Sequence, residues 1–250
     1  MKITMYKAGK GDSFLVEWNN LKMLVDSGTP ATQNRKKNPK FPCSKELDYI
    51  FLTHIDYDHI GGFLKLISSS EKNPFKNEVV IYCNLSNKIT IDKDDYVGFK
   101  HGTLLQEELE RLGISCNDLV NQDVINLPGA CIHAISPKKE HLSLLLNYWD
   151  EYVNSCEKVN VKGYVSSEEK KFHFHYPDTS EPSKINLKND IINITSIAFI
   201  MDIGCKKVMF LSDTHPDIVI DGVKEYLLKI NEDLLDLELI KLSHHGSRHN

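Results

Sequence analysis

The chain has 250 residues, of which 41% are hydrophobic and 26% charged, with a formal net charge of -5. This composition fits a folded chain of one large or two small domains and excludes a generally basic surface for nucleic acid. No apolar run approaches the roughly 18 residues of a membrane span, and the opening "MKITMYKAGKGDSF" lacks the continuous apolar core of a signal peptide. A cytoplasmic protein without a membrane partner is therefore expected.

Taken in order, "KITMYKA" and "SFLVEW" are short strand-like runs separated by the turn "GKGD", and "LKMLVDSG" follows after Asn19-Asn20. A three-strand meander is expected. Residues 29 to 46 are polar and proline-bearing and read as a loop. "LDYIFLT" is a continuous apolar run of strand length, suited to a strand buried on both faces. "HIGGFLKLIS" has helical spacing, "EVVIYCN" reads as another buried strand, and "GTLLQEELERLG" as an amphipathic helix stopped by Gly113. "ACIHAISP" reads as a strand closed by Pro137, and residues 138 to 156 as a helix. Residues 157 to 190 are the least regular part and are expected to form a long exposed insertion. Order returns with "TSIAFIMDIG" and "KKVMFLSD", paired around Gly204. "PDIVIDGVKEYLLKI" is a helix with Pro216 near its first turn, and "LELIKLSHHGS" is a last strand. There are no internal repeats. The pattern predicts a layered α/β protein of two sheets with helices outside.

The six cysteines, Cys43, Cys83, Cys116, Cys131, Cys156 and Cys205, form no C-x-x-C pair. A chain this long without a secretory signal is not expected to carry a disulfide framework, and buried reduced thiols are expected instead.

Chemistry gathers in three places, each at the end of a predicted strand. His54, Asp56, Asp58 and His59 lie within six positions behind "FLT" and before Gly61 and Gly62. A divalent ion needs several N and O donors about 2.0–2.2 Å away. Two imidazoles and two carboxylates exceed what one closed tetrahedral site takes from a single loop, and they suit two adjacent metals. The glycine pair permits a tight backbone there. Asp213, at the end of "VMFLSD", is an acid after an apolar strand; it reads either as a metal ligand or as the cap of the next helix. His215 reads as structural. His244 and His245 end the last strand, and at least one of them is expected to be a ligand.

"THIDYDHIGG" resembles the H-x-[HD]-x-D-H signature of metallo-β-lactamase fold hydrolases. With "KAGKGDSFLVEW…LVDSG", "NITSIAFIMDIGCKKVMFLSD" and "LIKLSHHGS", the chain is similar to the ComEC-type branch of DNA-uptake proteins and its free-standing, defence-associated relatives. The resemblance covers nearly the whole chain apart from 157 to 190. It implies one domain over residues 1–250, a four-layer αβ/βα sandwich with a two-metal cleft. The metals it implies are two divalent ions, zinc first and manganese or iron as substitutes.

Carried over by residue, the resemblance places His54 and Asp56 on a first metal and Asp58 and His59 on a second. Asp213 bridges them and His245 completes the second, with His244 as the second choice for that role. Asp58 and Asp213 would orient the nucleophile, and Asp12 and Asp26 would stand as turn residues or behind the ligands. The wider fold usually supplies another histidine to the first metal. His133, His141, His173 and His175 are the candidates here, none in a matching motif. The chain stops five residues after His245, where relatives continue, so missing C-terminal elements are expected.

The function this implies is a metal-dependent phosphodiesterase, a nuclease on DNA or RNA, with nucleic acid as its partner. Control by proteolysis, or by a protease or ATPase partner of an anti-phage system, is compatible with it, as is docking of a missing C-terminal segment. A small phosphoester, lactone or thioester hydrolase is an alternative with the same site, and an inactive scaffold subunit is an alternative of another class. Lys7, Lys10 and the "RKK" at 35 to 37 supply local positive charge or form a solvated loop.

Overall fold

The computed structural model describes residues 1–34, 36–85, 97–158 and 187–243. The chain opens with β1 (Lys2–Met5), β2 (Phe14–Trp18) and β3 (Leu21–Val25), an antiparallel meander as expected. A short 3-10 turn (Ser44–Glu46) then leads into β4 (Tyr49–Phe51), α1 (Tyr57–Ser68) and β5 (Val80–Tyr82). β4 and β5 add to the meander in parallel, giving a mixed first sheet in the order β1-β2-β3-β4-β5. Next come α2 (Val97–Arg111), β6 (Val124–Leu127), β7 (Ala130–Ser136), α3 (Lys139–Lys158), α4 (Leu187–Ile194), β8 (Ala198–Ile203), β9 (Lys206–Phe210), α5 (Pro216–Ile230) and β10 (Leu239–Lys241). The second sheet runs β10-β9-β8-β7-β6, antiparallel except for β10 along β9.

The layering follows from the two-residue period of the strands. In β3, Met23 and Val25 point to one side and Leu24 to the other; in β8, Phe199 and Met201 oppose Ala198 and Ile200. Met23, Val25 and Phe51 of the first sheet pack against Phe199, Met201 and Phe210 of the second. The rings of Phe51 and Phe199 stand 5.0 Å apart and those of Phe14 and Phe210 5.6 Å. Leu24, Ile50 and Leu52 face the other way, onto Ile60, Phe63 and Ile67 of α1 and the neighbouring helices. Ala198, Ile200 and Met209 face Val219 and Tyr226 of α5. Fully burying a large apolar side chain contributes about 1.5–3 kcal/mol, so both faces of both sheets must be covered. The result is the four-layer αβ/βα sandwich expected from the resemblance.

Several expectations need correction. β1 ends at Met5 and β2 begins at Phe14, so "GKGD" is not a tight hairpin turn but part of a wide loop over residues 6–13. The exposed strand β6 was not foreseen, because "VINL" alternates only weakly between exposed and half-buried positions. The irregular range 157–190 starts inside α3 and ends inside α4, and the rest of it lies outside the described residues. The 3-10 turn falls in the segment expected to be loop. Of the cysteines, Cys83 is buried, Cys116 and Cys131 are half-buried, and Cys43 and Cys205 are exposed, all as free thiols. Cys205 sits at the β8–β9 turn and Cys43 just before the 3-10 turn, where the backbone leaves the core. β10 carries half-exposed Leu239 and Ile240 and is the edge of its sheet among the described residues. No helix among the described residues is long and apolar enough to cross a membrane.

Candidate metal centre

The site forms where β3, β4 and β9 end together. β4 stops at Phe51, and Leu52, Thr53 and His54 carry the chain outward before α1 begins at Tyr57. The helix therefore starts two residues earlier than its periodicity suggests. Asp58 and His59 lie in its first turn, and Asp56 is its N-cap residue, with no side-chain capping bond. Gly62 lies inside the helix and serves close packing rather than a turn. A β-carbon there would meet the Ser27 carbonyl oxygen at 2.4 Å, and its own N–H donates to the Gly28 carbonyl at 2.8 Å.

Asp26 organises this junction. It is 2% exposed and has φ of 54°, a left-handed conformation that Asp and Asn tolerate better than most residues. Its Oδ1 accepts the Thr53 N–H at 2.8 Å; its Oδ2 accepts the Thr53 hydroxyl at 2.8 Å and lies 2.9 Å from His59 Nδ1. Having donated to Asp26, the Thr53 hydroxyl accepts from Ser212 Oγ at 2.5 Å and stands 3.0 Å from His54 Nδ1. Since a hydroxyl has one proton to give, His54 Nδ1 must be the donor in that contact. Both histidines are thus fixed with Nδ1 protonated and Nε2 turned to a common space, the arrangement that orients metal-binding imidazoles. Ser212 also has positive φ, 52°, so both β3 and β9 end in a left-handed residue beside the site.

His54, His59 and Asp213 bring their ligand atoms within 4.8 Å of one another, and all three are buried. Their rings lie 4.0 Å apart, and His59 Nε2 is 3.4 Å from Asp213 Oδ2. Asp56 stands next in line, its Oδ2 3.7 Å from His54 Nε2. Asp58 lines the adjoining open cleft of about 1100 Å3 together with Asp56, Asp213 and the 6–13 loop. Two imidazole nitrogens and a carboxylate oxygen converging with set tautomers are a donor set that suits a divalent transition metal.

The charges of the cluster act strongly on one another. Burial disfavours a charged His59, yet Asp26 and Asp213 on either side outweigh it and hold its pKa well above the usual value. Burial pushes against ionised Asp213, but its contact with His59 and the charges of His54, His59 and Lys241 keep it far below the usual carboxylate range. Asp56 is pushed up to about 6 by burial and by the Asp58 charge beside it. Two acids of one pocket are thereby driven apart in acidity.

The remaining residues singled out in the sequence fall as follows. Asp12 pairs with Lys241 on the cleft wall. His215 caps α5, its Nδ1 accepting the Asp217 N–H at 3.4 Å. His133 packs on the Tyr226 ring at 5.0 Å, and His141 lies in α3. Neither joins the cluster formed among the described residues. His173, His175, His244 and His245 lie outside the described residues, as does Arg35 of the "RKK" run. Sequence reasoning missed Thr53 and Ser212, whose hydroxyls stand at His54 Nδ1, and Lys241, whose side chain is 9% exposed and lies 3.6 Å from Asp213 Oδ1. A lysine within the apolar run "LELIKL" was the available signal for the last.

Residues 6–82 match the family model described as the metallo-beta-lactamase superfamily. This span contains the 6–13 loop, Asp26 and the stretch from His54 to His59. No curated protein matches the chain. Among solved structures, the chain is similar to the metallo-beta-lactamase fold protein YhfI from Bacillus subtilis, with 12% identity, 86% of this chain and 64% of that chain covered, and a TM-score of 0.42. It is similar to a Cronobacter sakazakii metallo-beta-lactamase with a HARLDQ motif, with 12% identity, coverage of 98% and 75%, and a TM-score of 0.44. It is also similar to CmlA, a diiron beta-hydroxylase from Streptomyces venezuelae, with 14% identity, coverage of 96% and 34%, and a TM-score of 0.42. The chain thus spans less than two thirds of YhfI and about a third of CmlA. With two facing mixed sheets, helices on both outer faces and a superfamily match over residues 6–82, the chain has the metallo-β-lactamase fold.

Proposed function

We propose that the chain is a metal-dependent hydrolase of phosphodiester bonds, a nuclease acting on DNA or RNA. The observation that carries the hydrolase part is the convergence of His54, His59 and Asp213 within 4.8 Å beside an open cleft that Asp213 lines. The phosphodiester part is supported by the resemblance of four separate stretches to ComEC-type domains. In this reading His54, Asp56, Asp58, His59 and Asp213 hold two divalent ions, zinc first, with His245, or else His244, completing the second.

A bound divalent ion supplies a water of lowered pKa and positive charge against a developing oxyanion. The chain's own residues do the rest. Asp26 and the Thr53 hydroxyl hold the two imidazoles by Nδ1, so that each Nε2 is presented without side-chain rotation. Lys241 lies 3.6 Å from Asp213 Oδ1, while Asp213 Oδ2 faces His59. Asp58, in the first turn of α1 on the cleft wall, would orient an attacking nucleophile in this reading.

The test is a side-by-side assay of plasmid DNA, RNA and neutral chromogenic esters and lactones with zinc-, manganese- and iron-loaded protein, using Asp213→Asn as the blank. Cleavage of a nucleic acid, lost in the blank, is expected. Turnover confined to the neutral esters would replace this reading by the small-molecule hydrolase. No turnover of any substrate by metal-loaded protein would favour the scaffold.

A further inference from the structure

We infer that the loop over residues 6–13 is a fixed anion-binding strap that takes a phosphate of the substrate through Lys7 and Lys10; this rests on the phosphodiesterase reading and names how the polyanion is held.

The strap is anchored at both ends and at Lys7, and it packs on α1 at Gly11. At its start, the Tyr6 N–H donates to the Ser13 carbonyl at 2.9 Å, closing the loop, and the Tyr6 hydroxyl donates to the Lys40 carbonyl at 2.9 Å. Buried Asn38 then grips the Lys7 backbone from both sides. Its Oδ1 accepts the Lys7 N–H at 2.9 Å, and its Nδ2 donates to the Lys7 carbonyl at 3.1 Å. Further along, Gly11 lies on the first turn of α1 so closely that a β-carbon would fall 1.6 Å from the Asp58 carbonyl oxygen. Asp12 pairs with Lys241, which also lies 3.6 Å from Asp213 Oδ1. Ser13 Oγ donates to the Asp26 carbonyl at 3.1 Å.

So many ties are not what an exposed connection needs, since a loop of this length could close on the Tyr6–Ser13 bond alone. They fix the backbone from which two exposed lysines project, on the wall of the same cleft that holds Asp56, Asp58 and Asp213. A rigid mount lowers the ordering cost of binding at its lysines. The charge balance fits as well. Of the four cleft aspartates, Asp12 is paired with Lys241, and Asp56, Asp58 and Asp213 belong to the proposed metal ligands. Among the described residues, Lys7 and Lys10 are then the cleft cations left for a substrate, and in a chain of net charge -5 a polyanion needs such a local patch. Lysine binds phosphate as a point charge without reading a base, so the strap contributes affinity and not sequence choice.

The experiment is fluorescence anisotropy of a short labelled single-stranded DNA, in chelator so that cleavage cannot interfere, over a range of salt. Wild type is compared with Lys7→Ala/Lys10→Ala and with the charge-matched control Lys2→Ala/Lys206→Ala, whose lysines pair with Glu17 and Glu238. Each lost phosphate contact lowers the log–log salt slope by about 0.7 on a single strand. The strap variant is expected to lose about 0.7 of slope and to bind more weakly, while the control keeps the wild-type slope. With metal-loaded protein, the strap variant is expected to show a raised KM for DNA and an unchanged kcat. An unchanged slope and KM in the strap variant, an equal loss in the control, or no DNA binding by wild type would overturn the strap. DNA binding through the strap without DNA hydrolysis by the metal-loaded wild type would instead defeat the phosphodiesterase reading and leave the strap as an anion site.

Discussion

Replacing Asp26 by Asn tests the idea that the fold, and not the ligands alone, makes the metal centre. Asn is nearly isosteric and tolerates the φ of 54° at this position, so the backbone has no reason to move. With its carbonyl still accepting the Thr53 N–H, its amide group would face the Thr53 hydroxyl and His59 Nδ1. An amide nitrogen only donates, so His59 Nδ1 would have to become an acceptor. The imidazole proton then moves to Nε2, the atom that faces Asp213. A metal would have to displace that proton and restore a donor-to-donor clash behind the ring. Loss of an orienting partner of this kind typically costs 10–100-fold in metal affinity, about 1.4–2.7 kcal/mol. Competition against a chromophoric chelator measures the affinity, and circular dichroism with a thermal melt shows whether the variant is folded. A folded Asp26→Asn protein that retains wild-type zinc affinity would refute the reasoning.

Other predictions follow from the packing and from ligand linkage. Phe51→Ala removes a fully buried ring stacked 4.7 Å from Tyr82 and 5.0 Å from Phe199, and should cost about 3–5 kcal/mol; urea denaturation checks it, and a shift below about 1 kcal/mol would contradict the two-sheet core. Gly11→Ala must push the strap off the Asp58 carbonyl, because the new methyl would overlap it at 1.6 Å; a lower melting temperature and a raised KM are expected, and a variant matching wild type in both would show that the contact is not made. Zinc at about 100 times its Kd should stabilise the protein by about 2.7 kcal/mol, read as a rise in melting temperature. His59→Ala should abolish the rise, and an equal rise in that variant would place the metal elsewhere.

The layered architecture was legible because the strands alternate cleanly or are uniformly apolar. "LKMLV" and "AFIMDI" show it, each sending successive residues into different cores. The candidate stretch from His54 to His59 stands out in the sequence because two histidines and two aspartates behind a buried strand have few structural uses together. The support behind the ligands was not legible. Thr53 and Ser212 are ordinary residues in any strand, and only the approach of β9 to the end of β4 brings them together at 2.5 Å. Lys241 was overlooked beside the more conspicuous His244 and His245, although its neighbour in space, Asp12, was noticed. The 6–13 segment looked like a hairpin because "GKGD" has turn chemistry. Its width comes from contacts with Asn38, Asp58 and Lys241, all distant in sequence. In the sequence the glycine pair permits a tight backbone, yet Gly62 answers to a carbonyl on the β3 exit, a constraint that only the packed helix reveals.

The central claim is that His54, His59 and Asp213 form a metal centre. It is tested most directly by anomalous X-ray scattering from crystals grown with zinc. The account predicts an anomalous peak about 2.0–2.2 Å from His54 or His59 Nε2 and from an Asp213 carboxylate oxygen. A second peak toward Asp58 would extend the centre to two ions. Zinc-grown crystals with no anomalous peak beside these three side chains, or with zinc bound only elsewhere, would contradict it.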